Sequence, residues 1–332
     1  MRKVASPPSS TLAPALAGMG LSLLVSLVLA EVGVYAWSSS GHVYDIEVWR
    51  YSLEVKEKDP DPRRSFRHRP DVDTTLYGAD VHTNHQGFRM PRDIKPEKPE
   101  GTRRLVLLGD SITFGWGVQV GDTFASRLPT ELGDPHLEVI NTGVGNYGTV
   151  QEVATFENVA LAYQPDAVVL CYFINDAEPV PVYVPHPWWS RWRLGLLLWS
   201  RLDRLKRVAG DHQDWKGYYR ALYQAEQPGW KAAQSAITHL GELAHQAHIP
   251  AWLVIFPDLH VLDAATYPFY EEQARVAAVG ESAGLTVVDL TPSFLGLEAR
   301  PLWVSDEDTH PNKEGHHILA KGIADTLKVS PW

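Results

Sequence analysis

The chain is 332 residues long, 44% hydrophobic and 21% charged, with a formal net charge of −10. That length supports one large domain or two small ones with ample core, and the acidic balance argues against a nucleic-acid binder. The single cysteine, Cys171, excludes an intrachain disulfide; set in the apolar run Ala167-Val168-Val169-Leu170-Cys171-Tyr172, it reads as a buried structural thiol.

At the N-terminus, Arg2 and Lys3 precede a stretch without charge from Val4 to Ala30, strongly apolar from Leu12 onward. A membrane span needs about 20 such residues, and flanking positive charge holds the N-terminus in the cytoplasm. The expectation is a cytoplasmic tip and retained transmembrane anchor over residues 1–37, with Tyr35 and Trp37 at the interface and the rest of the chain extracytoplasmic. The alternative is a secreted protein, released by signal-peptide cleavage at Val28-Leu29-Ala30. No cysteine follows the run, which excludes a lipoprotein anchor.

Residues 38–100 are polar, with clusters such as Asp59-Pro60-Asp61-Pro62-Arg63-Arg64 and Lys95-Pro96-Glu97-Lys98-Pro99. They read as a stalk carrying a small ordered flap around Tyr77 to Met90. His82 and His85 have a spacing that metals sometimes use; with no further ligand nearby they read as surface or packing histidines.

Beyond Gly101, strands and helices alternate. Strands are expected at Arg104–Leu108, Leu137–Asn141, Ala167–Ile174, Ala251–Phe256 and Leu285–Leu290. Helices are expected at Thr123–Leu132, Val150–Tyr163, Trp230–Ala247, Tyr270–Ala283 and Lys313–Leu327. Short, nearly all-apolar strands in this alternation predict a parallel sheet covered on both faces. Residues 179–229 break the rhythm as a long insertion. It opens with prolines, continues through Trp188-Trp189-Ser190-Arg191-Trp192 to Trp199, and carries Arg201, Arg204, Lys206 and Arg207. It reads either as a lid or surface helix for a membrane or anionic polymer, or as a satellite helix packed on the domain.

The run Leu105–Leu108 stops at Gly109, and Asp110-Ser111 follow. This places a hydroxyl at the C-terminal end of a strand, where open α/β sheets hold their ligands. Near the other end of the chain lies Asp308-Thr309-His310. Serine needs a base to take its proton, histidine suits neutral pH, and an acid orients the histidine. Asp308 is the expected acid, with Asp306 and Glu307 as alternatives. The glycine-rich turn Asn141 to Thr149 follows the second strand, and Asn175-Asp176 follow the third. The Ser111 N–H, a turn N–H and the Asn175 amide then supply three donors to a developing oxyanion. Each element alone is ordinary turn chemistry; four of them in this order form a constellation.

Together these segments resemble the SGNH/GDSL hydrolases. Gly109-Asp110-Ser111-Ile112-Thr113 is similar to the family's first block, with Ser111 as nucleophile. Asn141 to Thr149 resembles the second block, Asn175-Asp176 the third, and Asp308-Thr309-His310 the last. The resemblance implies a flavodoxin-like, three-layer α/β/α fold with a five-stranded parallel sheet, in a catalytic domain over residues 101–332. It also implies ester-type substrates, no metal and no organic cofactor. The second-block glycine falls on Asn146, and asparagine tolerates left-handed backbone; its N–H is the expected turn donor. The family's acid often lies three residues before the histidine, at Glu307 here, although Asp-x-His also occurs among extracytoplasmic members. Thr83 to Arg89 is similar to a segment preceding the first block in membrane-anchored members, with no chemistry of its own. Trp116 reads equally as pocket wall or core.

The functional expectation is a serine esterase with Ser111, His310 and Asp308 as catalytic residues and Ser111, Asn146 and Asn175 around the oxyanion. Its expected partners are the membrane and an O-acyl substrate, such as an O-acetyl ester on a small molecule or an envelope glycan. Two alternatives stand beside it: an O-acyltransferase using the same residues on an extracytoplasmic polysaccharide, and a non-catalytic binding or assembly protein.

Overall fold

In the computed structural model, which describes residues 12–39, 43–210, 214–329 and 332, the N-terminal apolar run forms one helix, α1 (Leu12–Ser38). Its segment Ala13–Ser38 is long and apolar enough to cross a membrane, and its most apolar window buries nothing against the protein. The flanking charges Arg2 and Lys3 lie outside the described residues, as do the side chains of Arg204, Lys206 and Arg207.

The polar segment that follows was expected as a stalk, and here the structure differs. Helix α2 (Tyr44–Glu54) leads into two small antiparallel pairs, β1 (Lys56–Lys58) with β2 (Phe66–His68) and β3 (Asp73–Leu76) with β4 (Ala79–His82). This module packs on the body of the protein because its polar residues point inward. Lys56, Asp59, Arg64, His68 and Arg89 are all buried. Most of them are partnered: Arg64 pairs with Asp59 at 2.9 Å, and Arg89 donates to the carbonyls of Asp80, Phe114, Gly115 and Val118. Charge that is paired and buried looks, in composition alone, like charge that is solvated. His82 and His85 stay exposed and pair with different carboxylates, Asp73 at 2.6 Å and Asp71 at 3.0 Å.

The body begins with β5 (Arg103–Gly109), α3 (Ser111–Phe114), α4 (Phe124–Leu132), β6 (Leu137–Asn141), α5 (Thr149–Asn158) and β7 (Ala167–Tyr172). After the insertion it continues with α8 (Pro228–Ala247), β8 (Ala251–Ile255), α9 (Tyr270–Ser282), β9 (Thr286–Asp289), the pair β10 (Trp303–Ser305) and β11 (Asp308–Pro311), and α10 (Lys313–Val329). Five strands form one parallel sheet in the order β6-β5-β7-β8-β9. Alternate residues of each strand point to opposite faces. Val106, Leu108, Val168 and Leu170 meet Phe156 of α5, Ile237 of α8 and Val276 of α9. Leu105, Leu107, Val169 and Cys171 meet Phe124 of α4 and Ile323 of α10. The result is the flavodoxin-like three-layer α/β/α architecture. The strand order reverses between β5 and β7, and ligands in open α/β sheets sit at such a switch point.

Element ends shift where a side chain takes over a backbone partner. The strand expected to reach Ile174 stops at Tyr172, where Asp176 accepts the Phe173 N–H at 3.0 Å and turns the chain. The helix expected to Tyr163 ends at Asn158, and a short 3₁₀ turn covers Ala160–Tyr163.

The insertion holds a proline-rich strap over 179–187, then α6 (Arg193–Gly210) and α7 (Trp215–Leu222). Helix α6 packs on α1 and α2. The Glu31 carboxylate of α1 accepts the N–H groups of Arg193 and Leu194 at 2.9 and 2.8 Å. An anion at a helix N-terminus satisfies orphan donors and complements the helix dipole. Arg193 in turn lies over the Tyr35 ring at 4.2 Å and donates to Ser38 Oγ at 2.7 Å. The tryptophan-rich segment is therefore docked on the apolar helix, with Trp188, Trp192, Leu198 and Leu202 exposed beside it.

Candidate active site

Strand β5 delivers Ser111 to the switch point. Gly109 is required at the strand end because a Cβ there would collide with the Thr113 side chain and crowd Cys171. Asp110 caps the short helix α3 by accepting the Ile112 N–H at 2.8 Å. Ser111, the first helical residue, keeps its own N–H outside the helical bonding pattern. At the other end of α3, Gly115 adopts φ 83°, and Arg89 binds its carbonyl and that of Phe114. The flap that carried no chemistry in the sequence thus clamps the helix bearing Ser111.

Across the cleft, β11 presents His310. Its Nε2 lies 2.8 Å from Ser111 Oγ, and its Nδ1 lies 2.5 Å from Asp308 Oδ1. With the ring proton on Nδ1 facing the carboxylate, Nε2 turns a lone pair toward the serine hydroxyl. Asp308 Oδ2 accepts the indole N–H of buried Trp116 at 2.8 Å. Of the three acids near the histidine, only Asp308 is bonded to its ring among the described residues: Asp306 pairs with Arg300 at 2.7 Å, and Glu307 is exposed. Burial pushes the His310 pKa down, but the Asp308 charge and hydrogen bond outweigh it, so the net shift is above the ordinary 6.5. Burial raises Asp308, and the His310 charge and bonds bring it below the usual carboxylate value.

Asn146 takes the left-handed conformation, φ 65°. The preceding Gly145 N–H is bound to Tyr51 Oη at 2.7 Å, whereas the Asn146 N–H has no protein acceptor among the described residues. The Tyr51 hydroxyl donates to His68 Nε2 at 2.7 Å, and His68 Nδ1–H donates to the Gly87 carbonyl at 3.2 Å. Burial, with help from the Lys56 charge, lowers the His68 pKa to about 3, which keeps that ring neutral and able to accept from Tyr51. Lys56 completes the scaffold. Its Nζ donates to the Gly145 carbonyl at 2.6 Å and to Asn146 Oδ1 at 3.0 Å, and burial lowers its pKa to about 7. Asn175, on the turn after β7, lines the same cavity of about 520 Å³ as Ser111, Asn146 and His310. Its amide also supports the buried Asp110 carboxylate, and an amide nitrogen carries two hydrogens.

Behind this edge lie three buried acids, Asp110, Glu152 and Asp176. Neither Glu152 oxygen has a hydrogen-bond partner among the described residues. Burial, then the Asp110 charge, holds Glu152 well above the usual carboxylate range; burial, then the Glu152 and Asp110 charges, does the same to Asp176; and burial raises Asp110 as well.

Ser111, His310, Asp308, Asn146 and Asn175 therefore meet at one sheet edge. Lys56, Tyr51 and His68 have no local sequence signal, since only tertiary packing brings them to the Gly145-Asn146 turn. Trp116 had a weak one, its position five residues after the serine. Replacing Lys56 by methionine keeps the stem and removes both Nζ bonds to this turn. A misplaced donor can cost about 10²-fold in rate, so Lys56→Met is expected to lower kcat toward that limit while KM for a small ester changes little. Steady-state kinetics check this; an unchanged kcat would show that the turn holds itself.

A family model described as GDSL-like lipase/acylhydrolase matches residues 107–318. An acetylxylan esterase of Xylanibacter ruminicola is 26% identical over 249 residues, covering 70% of this chain and 45% of that protein. The chain thus spans about half the length of this curated relative. Among solved structures, a lipolytic protein of the G-D-S-L family from Desulfitobacterium hafniense aligns at 18% identity and TM-score 0.42, over 68% of this chain and 100% of that one. An acetylxylan esterase from Geobacillus stearothermophilus aligns at 16% identity and TM-score 0.45, over 70% of this chain and 97% of that one. Because the family model covers well over half of the residues, the chain belongs to the GDSL-like lipase/acylhydrolase family.

Proposed function

We propose that the protein cleaves O-acyl esters, with O-acetyl groups on a glycan as substrate, through an acyl-enzyme on Ser111. The observation that carries this reading is the unbroken hydrogen-bonded line from Ser111 Oγ through His310 and Asp308 to Trp116. As the Ser111 oxygen attacks the ester carbonyl, its proton passes to His310 Nε2, and Asp308 steadies the imidazolium. The oxyanion forms beside the N–H groups of Ser111 and Asn146 and the Asn175 amide. His310 then returns the proton to the departing alkoxide as the C–O bond breaks. Water deprotonated by His310 attacks the acyl-enzyme, releasing the carboxylic acid and restoring Ser111. The acetyl and glycan parts of the reading are supported by the name of the curated relative, acetylxylan esterase. In the same reading, α1 is a membrane anchor and residues 101–332 form the catalytic domain on the extracytoplasmic side.

The test is hydrolysis of p-nitrophenyl acetate beside longer acyl esters by the full chain in detergent. Rates are expected to fall as the acyl chain lengthens. Labelling of Ser111 by a serine-directed phosphonate without turnover would instead favour acyl transfer to a second hydroxyl. Absence of both turnover and labelling would overturn the reading.

A further inference from the structure

We propose that a second cavity, next to the catalytic one, is a sugar-binding subsite that holds the glycan chain beyond the scissile ester. This rests on the ester-hydrolase reading of Ser111. The cavity encloses about 410 Å³ and shares Asn146, Asn175 and Glu178 with the catalytic cavity. The two therefore meet at the candidate oxyanion donors, so a substrate bound at Ser111 can run from one into the other. An acetyl group is only a few heavy atoms. Each cavity alone falls within the roughly 300–1,000 Å³ typical of small-molecule sites, so the acyl group leaves most of this space for the alcohol.

The lining indicates the chemistry of that alcohol. Trp49 and Tyr183 supply partly exposed aromatic surface on which the C–H faces of a sugar ring can rest, with buried Phe66 behind them under the Lys56 amine. Ser52 and His186 place a hydroxyl and an imidazole among them, while the buried Gln151 amide is bonded to the Arg64 carbonyl and the Gly148 N–H. Aromatic surface beside a hydroxyl and an imidazole suits a hydroxyl-bearing ring, which presents both C–H faces and hydroxyl groups. The Lys56 amine is directed at Gly145 and Asn146, and the Glu178 carboxylate accepts from Tyr218 at 2.8 Å. Both charges in the lining are thus engaged with protein, which favours a neutral sugar here.

The walls are also held in place before any ligand arrives. One comes from the N-terminal module and the other from the 179–187 strap, which contains Pro179, Pro181, Pro185 and Pro187. The strap is tied to the module where the Tyr183 N–H donates to Ser65 Oγ at 2.9 Å and where His186 Nε2 meets Ser52 Oγ at 3.2 Å. The His186 ring also sits edge-on to Trp49 at 5.9 Å and to Tyr183 at 6.4 Å. Binding to such a site orders little that is not already ordered. The strap residues Tyr183, Pro185, His186 and Pro187 further line a third cavity that reaches Glu31 and Tyr35 of α1.

Calorimetry on the full chain in detergent tests this apart from turnover. The Ser111→Ala protein is titrated with O-acetylated xylo-, gluco- and N-acetylglucosamine oligosaccharides. At least one is expected to bind, and adding Trp49→Ala or Tyr183→Ala is expected to weaken it about tenfold or more, as for loss of one interface aromatic. Trp49→Phe and Tyr183→Phe, which keep an aromatic face, are expected to restore most of the affinity; this separates a stacking role from misfolding. With Ser111 intact, the ratio of kcat/KM for the bound oligosaccharide to that for p-nitrophenyl acetate is expected to fall in the alanine variants. Turnover of p-nitrophenyl acetate with no oligosaccharide binding, or binding indifferent to both alanine changes, would overturn the subsite and leave the esterase reading standing. Oligosaccharide binding that needs Trp49 and Tyr183 in a protein without esterase turnover would retain the subsite and overturn the esterase reading.

Discussion

Replacing Ser111 by alanine is expected to lower kcat for p-nitrophenyl acetate by about 10⁶-fold, the scale seen when a serine nucleophile is removed from a triad enzyme. The expectation follows from geometry. Ser111 Oγ is the atom that His310 Nε2 faces at 2.8 Å, and no second hydroxyl is bonded to that nitrogen among the described residues. A water molecule taking its place would lack the orientation that α3 imposes on the side chain, and orientation is a large part of the rate. A residual acceleration of about 10³–10⁴ over water is expected from the oxyanion donors and binding alone. Folding should be spared, because Ser111 is only partly buried and Asp110 still caps α3 through the Ile112 N–H. The measurement is steady-state hydrolysis with phosphonate labelling, beside a thermal melt of each protein. Activity that survives in a folded variant would remove Ser111 from the mechanism.

Asp308→Asn should cost about 10⁴-fold, as in triads where the acid becomes an amide. An asparagine presents an N–H to His310 Nδ1 and so moves the ring proton to Nε2, where it faces Ser111 Oγ instead of accepting from it. The pH profile makes this specific. In the wild type, kcat/KM should rise with pH through a pKa above 6.5, because the base must be neutral and Asp308 stabilises its charged form. Removing that negative charge leaves burial, which favours the neutral ring, so the acid limb of the residual activity should move to lower pH. Asp306→Asn, which breaks only the exposed pair with Arg300, should leave the acid limb where it was. An acid limb that stays fixed in Asp308→Asn would assign the inflection to another group.

The sheet could be read from the chain because each of its strands is a short apolar run between helices, and burial on both faces demands that pattern. The chain positions around the cleft were legible for a related reason. Ser111, Asn146 and Asn175 each follow a strand of a parallel sheet, so all three emerge at the same edge, and only His310 and Asp308 return from far along the chain. What the sequence concealed is the N-terminal module. Lys56, His68 and Arg89 sit in stretches whose composition resembles a solvated linker, yet each is nearly fully buried. Their partners are backbone carbonyls and ring atoms distant in sequence, such as Gly145 for Lys56 and Gly115 for Arg89. A carbonyl carries no sequence signature, so no motif announces these contacts. The insertion posed a similar problem. Its aromatic and basic character suited both a membrane surface and a packed helix, and the deciding contact, Glu31 at the start of α6, links residues more than 160 positions apart.

The three buried acids change how the formal charge of −10 should be understood. That figure counts all 40 aspartates and glutamates as anions, yet Glu152 and Asp176 sit where desolvation favours the protonated form. Burial weighs against the charged form of both groups behind the nucleophile. An oxyanion growing at Ser111 therefore has behind it two acids whose burial disfavours their charge, although the formal charge of the whole protein is negative. A count of residues registers the formal charge but not the burial that acts on each group.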